Sequence, residues 1–284
     1  MRILLLPNFQ KKDCAEVTSE VIRVLNKENT DIFSLECNKQ SIFDKSINYI
    51  SPEKIDSSID FAVTIGGDGT IIRAANLLLE KEIPLVGVNL GTLGFLAGIE
   101  KNEIGILSSV LKGNYTIDER MTLRVSLCSQ NSTKKTFTAI NDIVICKNAM
   151  SGIIDLTVEC SGIPTAHYRA DGIIFSTASG STAYAMSAGG PIMHPNVKAI
   201  SLTPICAHSL LSRTIILPEY ENITVKTNAD SERRKVFVVA DGLNSVDVVE
   251  NDIIKIQRYE KNIKFLCPSG KNYYSAINTK LMER

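Results

Sequence analysis

The chain has 284 residues, 44% hydrophobic and 22% charged, which is enough for one large core or two ordinary ones. Lys plus Arg and Asp plus Glu each total 31, so there is no net charge to steer the chain onto nucleic acid or an anionic membrane. The seven cysteines are odd in number and widely spaced, and the three histidines lack any H-x-x-x-H grouping; neither a disulfide framework nor a structural transition metal is expected. The first apolar run, Ile3–Leu6, is too short for a signal peptide, and no run reaches the length of a membrane span, so the expected location is cytoplasmic.

In the first part of the chain, short apolar runs alternate with helical periods. Ile3–Leu6 reads as a buried strand, and Val17, Val21, Val24 and Leu25 give a helix over Asp13–Asn29 with Asp13 available as its cap. Ile32–Leu35 is a second strand. The polar stretch from Cys37 to Asp60 reads as a loop or lid with a short helix. Phe61–Ile65 is a third strand, followed by Gly66-Gly67-Asp68-Gly69-Thr70 and a helix over Thr70–Lys81. Leu85–Val88 is a fourth strand, ending in the second glycine-rich turn, Asn89-Leu90-Gly91-Thr92-Leu93-Gly94-Phe95-Leu96, and a helix near Glu103–Lys112 closes this part. This alternation predicts an α/β domain over 1–116 with an open, mainly parallel, Rossmann-like sheet, whose ligands would lie beyond the carboxyl ends of the strands.

After residue 116 the runs are short and β-branched, among them Leu123–Cys128, Phe137–Cys146, Ile153–Cys160, Gly172–Ser176, Val236–Val239 and Ile263–Leu266. A β-rich sandwich domain over 117–267 is expected, interrupted by a helix at Ser179–Ala188. The segment 268–284 is expected to form a helix over Asn272–Met282 and return to the first domain. The cluster Arg233-Arg234-Lys235 reads as an exposed turn before a strand.

Four polar clusters at strand ends are candidates for chemistry. Glycines that join a strand to a helix expose backbone N–H groups at a helix N-terminus, which suits a phosphate, although a plain strand-to-helix turn at Gly66–Thr70 needs the same residues. Asn141-Asp142 sits inside the apolar run Thr138–Ile145, where it is either a locally satisfied bulge or a reader of ribose hydroxyls or a base edge. Asp171-Gly172 is a turn before an apolar strand. Ser176–Tyr184 places five Ser and Thr side chains around Gly180, a field of small donors suited to phosphate or ribose oxygens. G-x-G-x-x-G, the P-loop and G-x-S-x-G are all absent. The remaining chemistry is phosphoryl transfer to a hydroxyl, with Asp68 as base or metal ligand.

Taken together and in order, these stretches resemble the bacterial NAD kinases, which phosphorylate the adenosine ribose 2′-hydroxyl of NAD. Gly66–Thr70 is similar to that family's first motif, Val88–Leu96 to its second glycine-rich turn, Asp118-Glu119-Arg120-Met121 to its domain junction, Asn141-Asp142 to its Asn-acid motif, and Ser176–Pro191 to its long signature. The resemblance implies that Asp68 takes the proton of the attacking hydroxyl while Gly67, Gly69 and Thr70 line the phosphate site, with Arg73 within reach of a phosphate. It also implies that Phe95 borders the adenosine and that Asn141 and Asp142 hold NAD. Arg169, Asp171, Ser179, Thr182, Ala183, Tyr184, Ala185, Met186 and Ser187 are carried over as further dinucleotide contacts. Mg²⁺ or another divalent cation would bridge the phosphates of the donor, ATP or polyphosphate, with no dedicated protein metal site. The implied partners are small-molecule substrates, neither nucleic acid nor membrane, and a second or further copies of the chain in a homodimer or homotetramer.

The chain departs from the family pattern at Ala178 and Ala207, where Pro is usual, at Ser179 in place of Thr, at Thr214 in place of Pro, and at Leu243, where Gln often follows Asp-Gly. Two other readings compete: a lipid or sugar kinase that shares only the first motif, and a silent dinucleotide-binding sensor.

Overall fold

A computed structural model of the chain describes residues 1–91, 94–129, 132–208, 212–229, 234–269 and 273–278. Thr92 and Leu93 of the second glycine-rich turn, Ser209 and Leu210 near the Ala207 departure, Arg233 of the basic cluster and the end of the expected C-terminal helix lie outside those residues. The chain divides into two compact units, Met1–Glu119 with Ile263–Arg284, and Arg120–Asn262.

The first unit runs β1 (Arg2–Pro7), α1 (Cys14–Lys27), β2 (Asp31–Leu35), β3 (Ile47–Ile50), β4 (Phe61–Gly66), α2 (Asp68–Leu78), β5 (Leu85–Asn89), β6 (Ile99–Glu100), α3 (Ile106–Leu111) and β7 (Tyr115–Arg120). Its sheet has the order β3-β2-β1-β4-β5, continued by a late strand and β7, with β6 beside β5. The pairings among β1 to β6 are parallel. Every residue of β4 and β5 is buried, as expected for inner strands covered on both faces. Val17, Val21, Ile22 and Leu25 turn the apolar stripe of α1 onto the core that β1 and β4 line.

Three expectations for this unit are corrected. Asp13 does not cap α1 through its side chain; its backbone is left-handed (φ 65°) and its carboxylate takes a proton donor from Lys101 Nζ at 2.9 Å. The polar stretch after Cys37 contains β3, a four-residue strand parallel to β2 whose short, half-polar run lacks a strand's pattern. Finally, α2 begins at Asp68 rather than Thr70, with Gly67 as its N-cap.

The second unit contains β8 (Leu123–Ser129), β9 (Ser132–Ala139), β10 (Asp142–Lys147), β11 (Ile154–Cys160), β12 (Ile163–Ala170), β13 (Gly172–Ser176), α4 (Tyr184–Ser187), β14 (Ala199–Ile205), β15 (Ile215–Pro218), β16 (Ile223–Thr227), β17 (Val236–Ala240), β18 (Asn244–Val248) and β19 (Ile253–Arg258). They form two six-stranded sheets, β15-β14-β13-β10-β17-β18 and β12-β11-β16-β19-β8-β9. Neighbouring strands in both sheets are antiparallel, and one apolar core takes residues from both sheets, including Leu123, Ile145, Leu156, Phe175, Val238 and Ile254.

The run Phe137–Cys146 is not one strand. Its first part belongs to β9 and its second to β10, in different sheets, and the chain crosses between them at Ile140–Asn141. β12 and β14 escape the sequence pattern: β12 is an edge strand with mostly exposed residues, and β14 reads Ala-Ile-Ser-Leu-Thr-Pro-Ile, polar enough to pass for a loop.

The run Ile263–Leu266, expected in the β-rich domain, is β20 (Ile263–Pro268), which leaves the second unit and enters the first unit's sheet between β5 and β7. It is followed by α5 (Tyr273–Ile277). Among the described residues no helix is long and apolar enough to cross a membrane.

Candidate functional site

In the first unit the glycine-rich turn is the opening of α2. The first N–H groups of any helix have no carbonyl four residues back, so Gly67 to Thr70 surround a cluster of donors. Thr70 N–H turns back to the Gly67 carbonyl at 2.8 Å, which tightens the entry. The three glycines are not equivalent. A Cβ on Gly66 would collide with the Thr70 hydroxyl, so that glycine is demanded by packing within the chain. Gly67 and Gly69 face open space, with no atom within 4 Å of an added Cβ, and nothing in the chain's own packing requires them to be small.

Asp68 is half-buried in the first turn, where the helix dipole favours a negative charge. Its carboxylate accepts the N–H of Phe95 at 2.9 Å and of Leu96 at 3.3 Å. A Cβ on Gly94 would strike that carboxylate, so Gly94 to Leu96 close over Asp68 and hold its rotamer. The base of this turn is set by Asn89, whose Oδ1 accepts from Gly91 N–H at 3.1 Å while its Nδ2 donates to Glu100 at 3.0 Å. Phe95 therefore meets Asp68 through its backbone. Thr70 and Arg73, on the next part of α2, line a cleft of about 500 Å³ with Pro7, Asn8, Cys37 and Ser41, at the carboxyl ends of β1 and β2. Asn8 Nδ2 donates to Thr70 Oγ1 at 2.9 Å across its floor.

In the second unit a cleft of about 430 Å³ opens where β9 gives way to β10. Asn141, Asp142, Ala183 and Tyr184 all line it, so four of the sequence candidates meet there. The Oδ1 of Asn141 is buried and makes no hydrogen bond. Its backbone carbonyl is held by Thr177 N–H at 2.9 Å and Ser176 Oγ at 3.2 Å, which fixes the residue while its amide stays available. Asp142 is buried, and burial followed by the charge of Asp241 pushes its carboxyl up to about 7. Tyr184, half-exposed at the start of α4, has its hydroxyl pKa raised by burial first, then by nearby Cys146, Cys206, Asp142 and Asp171.

The hydroxyl field of Ser176–Thr182 is not directed outward as expected. Thr177 Oγ1 donates to Ile140 O at 2.6 Å and accepts from Gly180 N–H at 3.1 Å. Ser181 Oγ donates to Ala178 O at 2.7 Å and accepts from Met193 N–H at 2.9 Å, and Ser179 Oγ receives Arg120 Nη1 at 3.1 Å. Such local bonds compete with helix formation, so the expected helix over Ser179–Ala188 breaks at Ala183 into a short 3₁₀ turn and α4. The hydroxyls shape the loop, and the residues it presents to the cleft are Ala183 and Tyr184.

The other candidates lie elsewhere. Ala185 is buried in a small apolar cluster with Val144 and Ile174, and Thr182, Met186 and Ser187 are outside the cleft lining. Arg169 is on β12, paired with Asp155 at 3.4 Å, and Asp171 sits opposite Lys147 at 3.5 Å. Sequence reasoning missed Asp241, Gly242, Cys146 and Val239 as cleft residues; the Asp-Gly pair was the available signal. Ala178 has φ −59°, the value proline imposes, so this departure leaves the backbone where proline would put it.

Comparison with known proteins settles the family. The ATP-NAD kinase N-terminal domain matches residues 3–115 and the ATP-NAD kinase C-terminal domain residues 140–267. A NAD kinase of Natranaerobius thermophilus is 34% identical over 278 residues, spanning 98% of this chain and 96% of that protein. The chain belongs to the NAD kinase family. A NAD kinase of Geobacter sulfurreducens is 40% identical over 233 residues, 82% of this chain and 81% of its own. Among solved structures, yeast NADH kinase complexed with NADH superposes with a TM-score of 0.89 at 25% identity, covering 100% of this chain and 87% of that one. A NAD kinase from Archaeoglobus fulgidus in complex with ATP gives 0.76 at 24% identity, covering 98% and 99%. This family of phosphotransferases replaces the lipid or sugar kinase reading.

Proposed function

We propose that Asp68 is the base of this NAD kinase-family enzyme, that the cleft at Asn141 and Asp142 receives NAD, and that the glycines of α2 receive the donor phosphates. The reading is carried by the open space at Gly67 and Gly69 beside a carboxylate whose rotamer is held by two backbone N–H groups. In the transfer, the ribose 2′-hydroxyl gives its proton to Asp68 as its oxygen bonds to the terminal phosphorus of ATP, and the bond from that phosphorus to the ADP oxygen breaks. A carboxylate oxygen can accept more than one hydrogen bond, so accepting a backbone N–H does not by itself remove its capacity to take a proton. Thr70 and Arg73 would meet the donor from the cleft they line, with the guanidinium on a phosphate oxygen.

A divalent ion supplies charge neutralisation on the donor phosphates when bound. Its ligands would be mainly phosphate oxygens and water. The cleft of the second unit offers NAD an unpaired amide oxygen at Asn141, a carboxyl at Asp142 and the Tyr184 ring. The strand order β3-β2-β1-β4-β5 supports a Rossmann-like reading of the first unit, with the donor at the strand ends. The second substrate-level choice, ATP against polyphosphate, is read from a donor panel.

The test is NADP formation from NAD, Mg²⁺ and each donor by the purified chain, with Asp68→Asn alongside. Turnover is expected with the unmodified chain and a loss of about 10²–10⁴-fold with the amide. NADP formation undiminished by that substitution would overturn the role of Asp68, and none from the unmodified chain would overturn the activity.

A further inference from the structure

The turn between β17 and β18 contains a carboxylate that the reaction scheme does not use. Asp241 and Gly242 both have left-handed backbones, with φ 51° and 65°. Asp tolerates that region better than most residues, and here it aims its side chain back across β10. The carboxylate accepts three consecutive backbone N–H groups: Ile140 at 2.7 Å, Asn141 at 2.8 Å and Asp142 at 3.1 Å. In return the Asp241 N–H donates to the Asp142 carbonyl at 2.9 Å. Ile140 and Asn141 are the crossing between the two sheets, and Asp142 opens β10 opposite Ser176 of β13. A carboxylate that collects several N–H groups makes charge-assisted bonds, stronger than the neutral ones they replace.

We propose that Asp241 is a positioning residue for the reaction: by clamping the 140–142 crossing it sets the Asn141 amide and the Asp142 carboxyl toward the cleft, and its charge tunes what Asp142 offers the dinucleotide. This rests on the assignment of that cleft to NAD. The titratable groups that share the cleft lining with Asp142 are Asp241 from the β17–β18 turn, Tyr184 from α4 and Cys146 from β10 itself. Of these, Asp241 raises the Asp142 carboxyl through its charge, adding to the effect of burial. A protonated Asp142 donates a hydrogen bond to a ribose oxygen, whereas an ionised one would repel the dinucleotide's phosphates.

Asp241→Asn tests this, because asparagine keeps the left-handed preference of the turn while removing the charge and turning one N–H acceptor into a donor. The expected result is a KM for NAD raised about tenfold, a KM for ATP within about twofold of the unmodified value, and a thermal midpoint still cooperative. The ionisation lost in Asp142→Asn should move to lower pH in Asp241→Asn, since the neighbouring negative charge is gone. A purely structural role would lower the midpoint and leave that ionisation in place, and unchanged KM for NAD together with an unchanged pH profile overturns the proposal. Amide hydrogen exchange on the unmodified chain gives a readout independent of any variant. Protection of Ile140, Asn141 and Asp142 N–H is expected, and free exchange there removes the clamp. If the unmodified chain forms no NADP, the kinase reading fails and this one with it; if it does, these results judge Asp241 alone.

Discussion

The glycines of α2 separate into two kinds at the level of single residues. Gly66 is small because Thr70 packs against it, whereas Gly67 and Gly69 are small toward empty space. Gly66→Ala should therefore lower stability by roughly 1–3 kcal/mol, read as a lowered thermal midpoint. Gly69→Ala should keep or raise the midpoint, since alanine is up to about 1 kcal/mol better than glycine in a helix, yet lower kcat/KM. Asp142 gives a pH prediction of definite sign. Its folded carboxyl binds its proton up to about 7, above the ordinary value of 3.8, so the native state holds more protons than the unfolded chain across that window. This group's contribution then falls as pH rises from about 4 through about 7. Asp142→Asn should remove that slope and gain, relative to the unmodified chain, on the order of 4 kcal/mol at pH 8 compared with pH 4, measured by urea unfolding at both. Asp68, Asn141 and Asp142 stood out in the sequence as polar residues beside apolar runs, and the structure places Asp68 at the start of α2 and the other two on one cleft lining. Asp241 did not stand out, since an Asp-Gly turn looks the same whether its carboxylate faces solvent or three N–H groups a hundred residues away in the chain.

Elements were legible where one short window contained their cause. The buried runs of β1, β4 and β5 and the apolar stripe of α1 follow from local pattern, and their sequence positions agree with the structure. The 137–146 run failed because a polar pair such as Asn141-Asp142 inside an apolar stretch looks the same at a local bulge as at a change of sheet, and the second unit's cleft opens at that change. The 176–188 run failed in the other direction. Its hydroxyls are the polar surface of a tightly folded loop, with Gly180 pressed on the Asn141 carbonyl where a Cβ would collide. Ala178 tests this loop as a unit. It is buried beside Met193 and Ala199, and its φ of −59° already suits proline. Ala178→Pro should stabilise by about 0.4–1 kcal/mol through the unfolded state, seen as a slightly raised thermal midpoint with kcat unchanged.

At the scale of the whole chain, the two units have separate cores. The core of the second unit is drawn wholly from residues between Met121 and Ile256, while that of the first runs from Ile3 to Val110 and then takes in Leu266. A fragment of residues 120–262 should therefore fold alone, with cooperative thermal unfolding and a β-type circular dichroism spectrum. A chain ending at residue 262 lacks β20 from within its sheet, and its first unit should lose cooperative unfolding while the second keeps it. The sequence by itself determined the alternation of strands and helices, the two glycine-rich turns, the acid–amide pair and the family, because each depends on residues close together in the chain. Tertiary structure alone decided that β20 returns to the first sheet, that the hydroxyls of 176–182 turn inward, and that Asp241 meets Asn141. Those outcomes depend on which distant backbone groups lack partners, and a donor without a ladder neighbour becomes visible only once the sheets are formed.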